Sequence, residues 1–426
     1  MNRLARHVAA FLLAAMPGLL LACGSDTSAT PAPQGVNAAD ANAAGESADA
    51  SAAADGFETS TGPANVPDSA GSPAMDQGTP LANGDDAPAD HAPAPGGDAD
   101  VMPTDGGGPS DAPGGDAGSA LSWNTLRNPF YAHDAWSVKD VAVSYGPDGV
   151  IHVYFSAFFM DAGMERCHVA QTSTRDLRTF TPAVVIFDGQ SDGWIGMCSP
   201  DVQRIGGQYV MTFNAWGDAS PKPKQLFYAT SPDLTTWSVA HPLGATLTAG
   251  RSYIDAALAP SAGRLFLFYK DDQTLKTHLA AGPALDGPWH VVGSGLPTFM
   301  TASGQEMGQV HENYQLLQID GHWRLLSTDY SPVTNEGFLY AMPGDGAAET
   351  DWLTWQSGYK LAVQKEAFNT NHVDNAAYLT DQRASDGFFY LFYAGRTEGT
   401  SHAGRGDNKL GVSRSTDLMI WKPAGQ

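Results

Sequence analysis

The sequence predicts an all-β fold, a five-bladed β-propeller, preceded by an N-terminal signal and a disordered linker. Two repeating features and one missing periodicity point to it. Acidic residues stand just ahead of five apolar runs: Asp140 in KDVAVSY, Asp201 in SPDVQRI, Asp255 in YIDAALA, Glu312 in HENYQLL and Asp374 in HVDNAAYL. Their steps run about 54 to 62 residues, the spacing of a fold built from repeated units. Each run is followed by a Gly-containing turn and a second, aromatic-rich strand, and no long segment has helical periodicity. In a propeller the inner strands of small antiparallel sheets converge on one axis. Acids at the start of every inner strand would then gather around one pocket, the raw material for acid/base chemistry on a sugar.

The elements follow in chain order. Arg3 and Arg6 precede an apolar stretch from Val8 to Ala22, the pattern of an export signal rather than of a folded element. The stretch is short for a membrane span and turns polar at Gly24-Ser25-Asp26. Its end, Leu20-Leu21-Ala22-Cys23, resembles a bacterial lipobox. The resemblance implies a signal peptide over 1–22 and lipid attachment at Cys23, hence a lipid-anchored protein of the cell envelope. From 23 to 120 the chain is Ala, Gly, Pro, Asp and Ser, with sixteen acidic residues and no Lys or Arg. Such a composition cannot bury enough surface to offset its ordering entropy and predicts an extended, disordered tether. Most of the net charge of −23 lies there, so the acidity says little about the folded part. It argues against nucleic acid as a partner, which would favour a basic face. Membrane contact is expected through the lipid alone.

Residues 121–426 predict one globular domain, a monomer. Its β-rich runs are Val150–Phe155, Gln208–Phe213, Arg264–Tyr269, His322–Leu326 and Phe388–Tyr393, each after a turn such as Pro147-Asp148-Gly149 or Gly206-Gly207. A second phrase recurs: Ser173-Thr174-Arg175-Asp176-Leu177, Ser231-Pro232-Asp233-Leu234 and Ser415-Thr416-Asp417-Leu418, each leading to an aromatic residue. It reads as a structural turn in which Ser and Asp satisfy backbone donors. Blades are expected near 137–185, 197–245, 252–297, 309–362 and 371–426, with 121–136 capping the domain or closing the ring. Cys167 and Cys198 could pair in an exported protein or remain buried thiols.

Lys139-Asp140 followed by His152-Val153-Tyr154, Ser199-Pro200-Asp201-Val202, Ile254-Asp255 ahead of Leu265–Phe268, and Glu312 ahead of Tyr314-Gln315 together resemble the five-bladed glycoside hydrolases of families 43 and 62. That group comprises arabinofuranosidases, xylosidases and arabinanases, and the resemblance spans 121–426. Two places depart from it: Val141 follows Asp140 where family 43 usually has Pro, and Asn313 follows Glu312 where Gly or Ala is common.

The resemblance implies an inverting hydrolase releasing α-L-arabinofuranosyl or β-xylosyl groups from plant-type polysaccharide or oligosaccharide. One ionised carboxylate activates a water while a protonated one serves the leaving oxygen, the two lying roughly 6.5–9.5 Å apart. Asp140 is the candidate base, with Asp134 second, Glu312 the candidate acid, and Asp255 the residue that orients Glu312. Asp201 is expected either to contact sugar hydroxyls or to stabilise its strand. Arg396 in YAGR resembles a sugar-binding arginine or forms a surface ion pair. Trp136, Trp194 and Trp216 are candidates for stacking on sugar faces or for packing between blades. His372 resembles a histidine that contacts a single calcium ion at the propeller axis, the alternative being a satisfied axial histidine. His311 is expected to be a strand-face neighbour of Glu312. The competing function is a non-catalytic carbohydrate-binding or adhesion propeller.

Overall fold

Apolar runs separated by Gly turns fold as antiparallel sheets in a computed structural model that describes residues 121–217, 222–308, 310–329 and 336–426. The signal, Cys23 and the linker lie outside the described residues. The first sheet unit holds β1 (Ser137–Tyr145), β2 (Ile151–Asp161), β3 (Met164–Thr174) and β4 (Val184–Phe187). The second holds β5 (Gly196–Ile205), β6 (Gln208–Trp216), β7 (Leu226–Ser231) and β8 (His241–Pro242). The third holds β9 (Tyr253–Ser261), β10 (Arg264–Asp271), β11 (Thr277–Gly282) and β12 (His290–Val291). After β13 (Thr298–Thr301) the fourth follows, with β14 (His311–Ile319), β15 (His322–Asp329), β16 (Glu336–Ala341) and β17 (Thr354–Lys360). The last holds β18 (His372–Asp381), β19 (Phe389–Arg396), β20 (Asn408–Ser415) and β21 (Lys422–Pro423). Within each unit successive strands pair antiparallel, and β13 adds to β17 in parallel. The first strands, β1, β5, β9, β14 and β18, pack on one another in turn, and β18 returns to β1. This is a propeller.

The predicted turns behave as their glycines require. Gly207 at φ 84° and Gly387 at φ 86° sit in the left-handed region, where a residue without Cβ pays no steric cost. The aromatic second strands fill the space between blades: Phe266 stacks on Trp352 at 4.1 Å and Phe213 on Phe187 at 4.4 Å. The Ser-Asp phrases form the expected turns. Asp233 Oδ1 accepts the N–H groups of Thr235 and Thr236 at 2.8 and 2.7 Å, and Leu234 sits at φ 66°.

Segment 121–136 lies against the last blade. Phe130 N–H donates to Leu410 O at 2.9 Å, the Asn128 side chain bonds Val412 through both its nitrogen and its oxygen, and Trp123 Nε1 donates to Gln426 O. The first two blades also touch through a single parallel bridge, Cys167 to Gly196. Cys167 and Cys198 are buried free thiols rather than a disulfide, and Cys198 Sγ accepts from Asn214 Nδ2 at 3.2 Å.

Each inner strand is interrupted, the last of them at two points, on either side of Asn375. Register slips by a bulge after Lys139, Cys198 and Glu312, between Ile254 and Ala257, and after Asn375. The first bulged residue is left-handed in every case: Asp140 (φ 51°), Ser199 (56°), Asp255 (57°), Asn313 (51°) and Ala376 (48°). Bulges re-aim side chains near functional sites, and a non-glycine residue held at positive φ stores about 1–3 kcal/mol of strain.

Candidate active site

The bulges decide which acids meet. Asp140 and Asp255 occupy the bulge position itself, and Glu312 precedes it by one residue. All three line one cleft of about 480 Å³, together with Lys139, Lys224, Lys270, Asp272, Trp216, His372 and Arg396. Asp201 and Asp374 do not line this cleft. Asp201 falls two residues after its bulge and faces a small axial cavity of about 20 Å³ below the cleft, 5 % exposed. Burial pushes its carboxyl up to about 8. Asp140, Ser199 and Asp255 line that cavity as well as the cleft. Asp374 falls within the first irregularity of β18 and is buried against β16, where a Cβ on Gly337 would stand 3.3 Å from its Oδ2.

The three clustered carboxyls have different surroundings. Asp140 Oδ1 takes two donors, Lys139 Nζ at 2.9 Å and Asn313 Nδ2 at 3.1 Å. Glu312 forms an ion pair with Lys270, a buried lysine at the end of β10. Asp255 has no cation within ion-pair distance among the described residues; its Oδ2 accepts the Asn313 N–H at 3.2 Å, and its own N–H donates to Asn214 Oδ1 at 3.0 Å. Burial, then the charges of Glu312 and Asp140, push its carboxyl up to about 7 against the pull of Lys139 and Lys270. The geometry thus separates two charge-paired carboxylates from one carboxyl that still binds a proton near neutral pH. Perturbations of this kind cluster at functional sites.

The remaining expectations divide. Arg396 lines the cleft and donates from Nη2 to His372 Nε2 at 2.5 Å. His372 accepts that bond as a neutral ring, and burial together with the Arg396 charge lowers it to about 4. A calcium ion seeks six to eight oxygen ligands. A histidine nitrogen already facing a guanidinium does not fit one, and among the described residues no group of three or more His, Cys, Asp or Glu could hold a metal. Of the three tryptophans, Trp216 lines the cleft, with Lys224 over its ring at 4.8 Å. Trp136 instead stacks on His133 at 4.0 Å. Trp194 is buried beside Phe227, with Lys222 at 4.9 Å over its ring, and faces a separate groove. Neither is a cleft platform. Asp134 is exposed and outside the cleft. His311 is fully buried against Phe299, which lowers it to about 4.

Lys270, Lys224 and Asp272 escaped the sequence reading. Lys270 follows the apolar and aromatic run Leu265–Tyr269 of β10, which is a usable signal. Asp271-Asp272-Gln273-Thr274-Leu275 repeats the aspartate turn: Asp271 Oδ1 accepts the N–H groups of Gln273 and Thr274, and Leu275 sits at φ 60°. This copy of the turn carries Asp272 and Leu275 to the cleft, where Asp272 pairs with Lys224 at 2.7 Å.

No protein-family model and no curated protein matches the sequence. Among solved structures the chain is similar to a glycosyl hydrolase from Bacteroides ovatus, at 14 % identity over 69 % of this chain and 87 % of that one, TM-score 0.47. It is similar to a thermostable family-43 glycoside hydrolase, at 13 % identity over 71 % and 96 %, TM-score 0.48. A third is a family-43 β-xylosidase/α-arabinofuranosidase from a compost metagenome in complex with xylotriose, at 13 % identity over 70 % and 97 %, TM-score 0.48. All three are named as glycoside hydrolases and the last two as family-43 enzymes; at such identities the likeness assigns no activity to this chain.

Proposed function

We propose that this chain is an inverting glycoside hydrolase acting on α-L-arabinofuranosyl or β-xylosyl groups of a plant-type polysaccharide. The observation that carries the reading is the meeting of Asp140, Asp255 and Glu312 in one cleft, each in its own electrostatic setting. Two donors hold Oδ1 of Asp140 as an ionised acceptor, which leaves Oδ2 to take a proton from a water. Glu312 passes to the leaving oxygen a proton that its carboxylate first takes up from Asp255 in the same cleft. Asp255, which still binds a proton near neutral pH, is the local proton store beside it. Trp216 offers an apolar face to the sugar, and Arg396 offers donors to its hydroxyls.

A second reading, a glycan-binding propeller without turnover, is favoured by the Lys270 ion pair, which engages the carboxyl that the hydrolase reading needs as its acid. One experiment separates the two. The purified protein is assayed on aryl α-L-arabinofuranoside, aryl β-xyloside and arabinoxylan, with the anomer of the first product followed by NMR. Release with inverted configuration, abolished in Glu312→Gln, supports the enzyme. Binding without release, equal in wild type and Glu312→Gln, supports the second reading and ends the first.

A further inference from the structure

We propose that Asn313 is a positioning residue that sets the spacing of the Asp140 and Asp255 carboxyls across the propeller axis. The inference rests on the hydrolase reading and adds a role for a residue outside its acid–base set. Asn313 is the first bulged residue of β14 and bonds two carboxyls at once. Its Nδ2 donates to Asp140 Oδ1 at 3.1 Å and its N–H donates to Asp255 Oδ2 at 3.2 Å. Those acids come from the first and third blades, and Asn313 from the fourth. An ionised carboxylate only accepts, so the amide must present its nitrogen to Asp140. Lys139 holds the same oxygen, which makes the ionised form the one that the site is built around.

The backbone alone does not explain the residue. At φ 51° asparagine is tolerated, but glycine would adopt the conformation with less strain. The side chain is therefore retained for what its amide touches. Glycine at this position keeps the N–H to Asp255 and removes only the bond to Asp140. Aspartate keeps the shape and replaces the donor by an acceptor beside a carboxylate.

The test uses Asn313→Gly and Asn313→Asp in the full chain. Melting temperature, kcat and KM are measured on the aryl glycoside that the wild type turns over, and crystal structures of wild type and Asn313→Gly are compared. The expected order of kcat is Asn, then Gly, then Asp. Glycine should lose about ten- to a hundredfold, as misplacement of a reacting group by about 1 Å does, with KM within about twofold. Its melting temperature should be equal or higher. The Asp140 carboxylate should lose its single position in the crystal. Glycine matching wild type in kcat, or Asp140 unmoved in the crystal, would overturn the inference. If neither wild type nor Asp140→Asn releases sugar from any substrate, the hydrolase reading fails instead, and the Asp140 position in the Asn313→Gly crystal alone decides the positioning role.

Discussion

At the scale of single residues, a lysine makes the difference between like carboxyls. Asp140 and Glu312 each have one, Lys139 and Lys270, while Asp255 has a backbone amide and burial. Loss of the base should therefore damage chemistry more than binding. Asp140→Asn keeps the shape and both donors near it, and kcat on an aryl glycoside should fall by about 10²- to 10⁴-fold with KM little changed. A variant within tenfold of wild type would move the base elsewhere. The three clustered acids were legible because each stands in a strand-opening phrase. Their partners were not: Lys270 meets Glu312 from 42 residues away, and no local pattern announces a contact between blades. The same limit hid the contact between Arg396 and His372.

At the scale of elements, the strand runs were readable and their phase was not. Val150–Phe155 lies within or beside β2, and Phe388–Tyr393 within or beside β19, because alternating apolar residues between Gly turns have few other solutions. A repeat of about 54 to 62 residues cannot resolve a bulge of one residue, yet the position of an acid relative to the bulge decides whether it reaches the cleft. The alternatives left open for Asp201 could not be narrowed from the sequence for this reason. The edge contact between the first two blades gives a sharper test of local geometry. A Cβ on Gly196 would stand 2.5 Å from Cys167 O, closer than any relaxed contact, with backbone on both sides. Gly196→Ala should destabilise the fold by about 1–3 kcal/mol, read as a lower midpoint in urea with an unchanged slope. Wild-type stability in that variant would show that the bridge is dispensable.

At the scale of the whole molecule, three buried carboxyls set the response to pH. Asp201, Asp255 and Asp374 are pushed by burial from an ordinary value of 3.8 up to about 8, 7 and 7. The folded state then binds more protons than the unfolded chain, so their contribution is complete below about pH 4 and is lost as pH rises through the folded values. His311 and His372, lowered from 6.5 to about 4, act in the opposite sense between about pH 4 and 6.5 and offset part of that loss. Above about 6.5 the carboxyls act alone. The melting temperature should fall as pH is raised from about 6.5 to 8, and Asp201→Asn should flatten the decline. A melting temperature that climbs over that interval would contradict the placement of these groups.

The strap formed by residues 121–136 has a mechanical consequence. It joins the front of the domain to its final strands through Leu410, Val412 and Gln426, so the wheel has one seam, and both edges of the seam come from opposite ends of the fold. A load pulling outward on residue 121 would meet that seam at β20 before it reached the first blade. The clasp would have to tear before the cleft felt the strain.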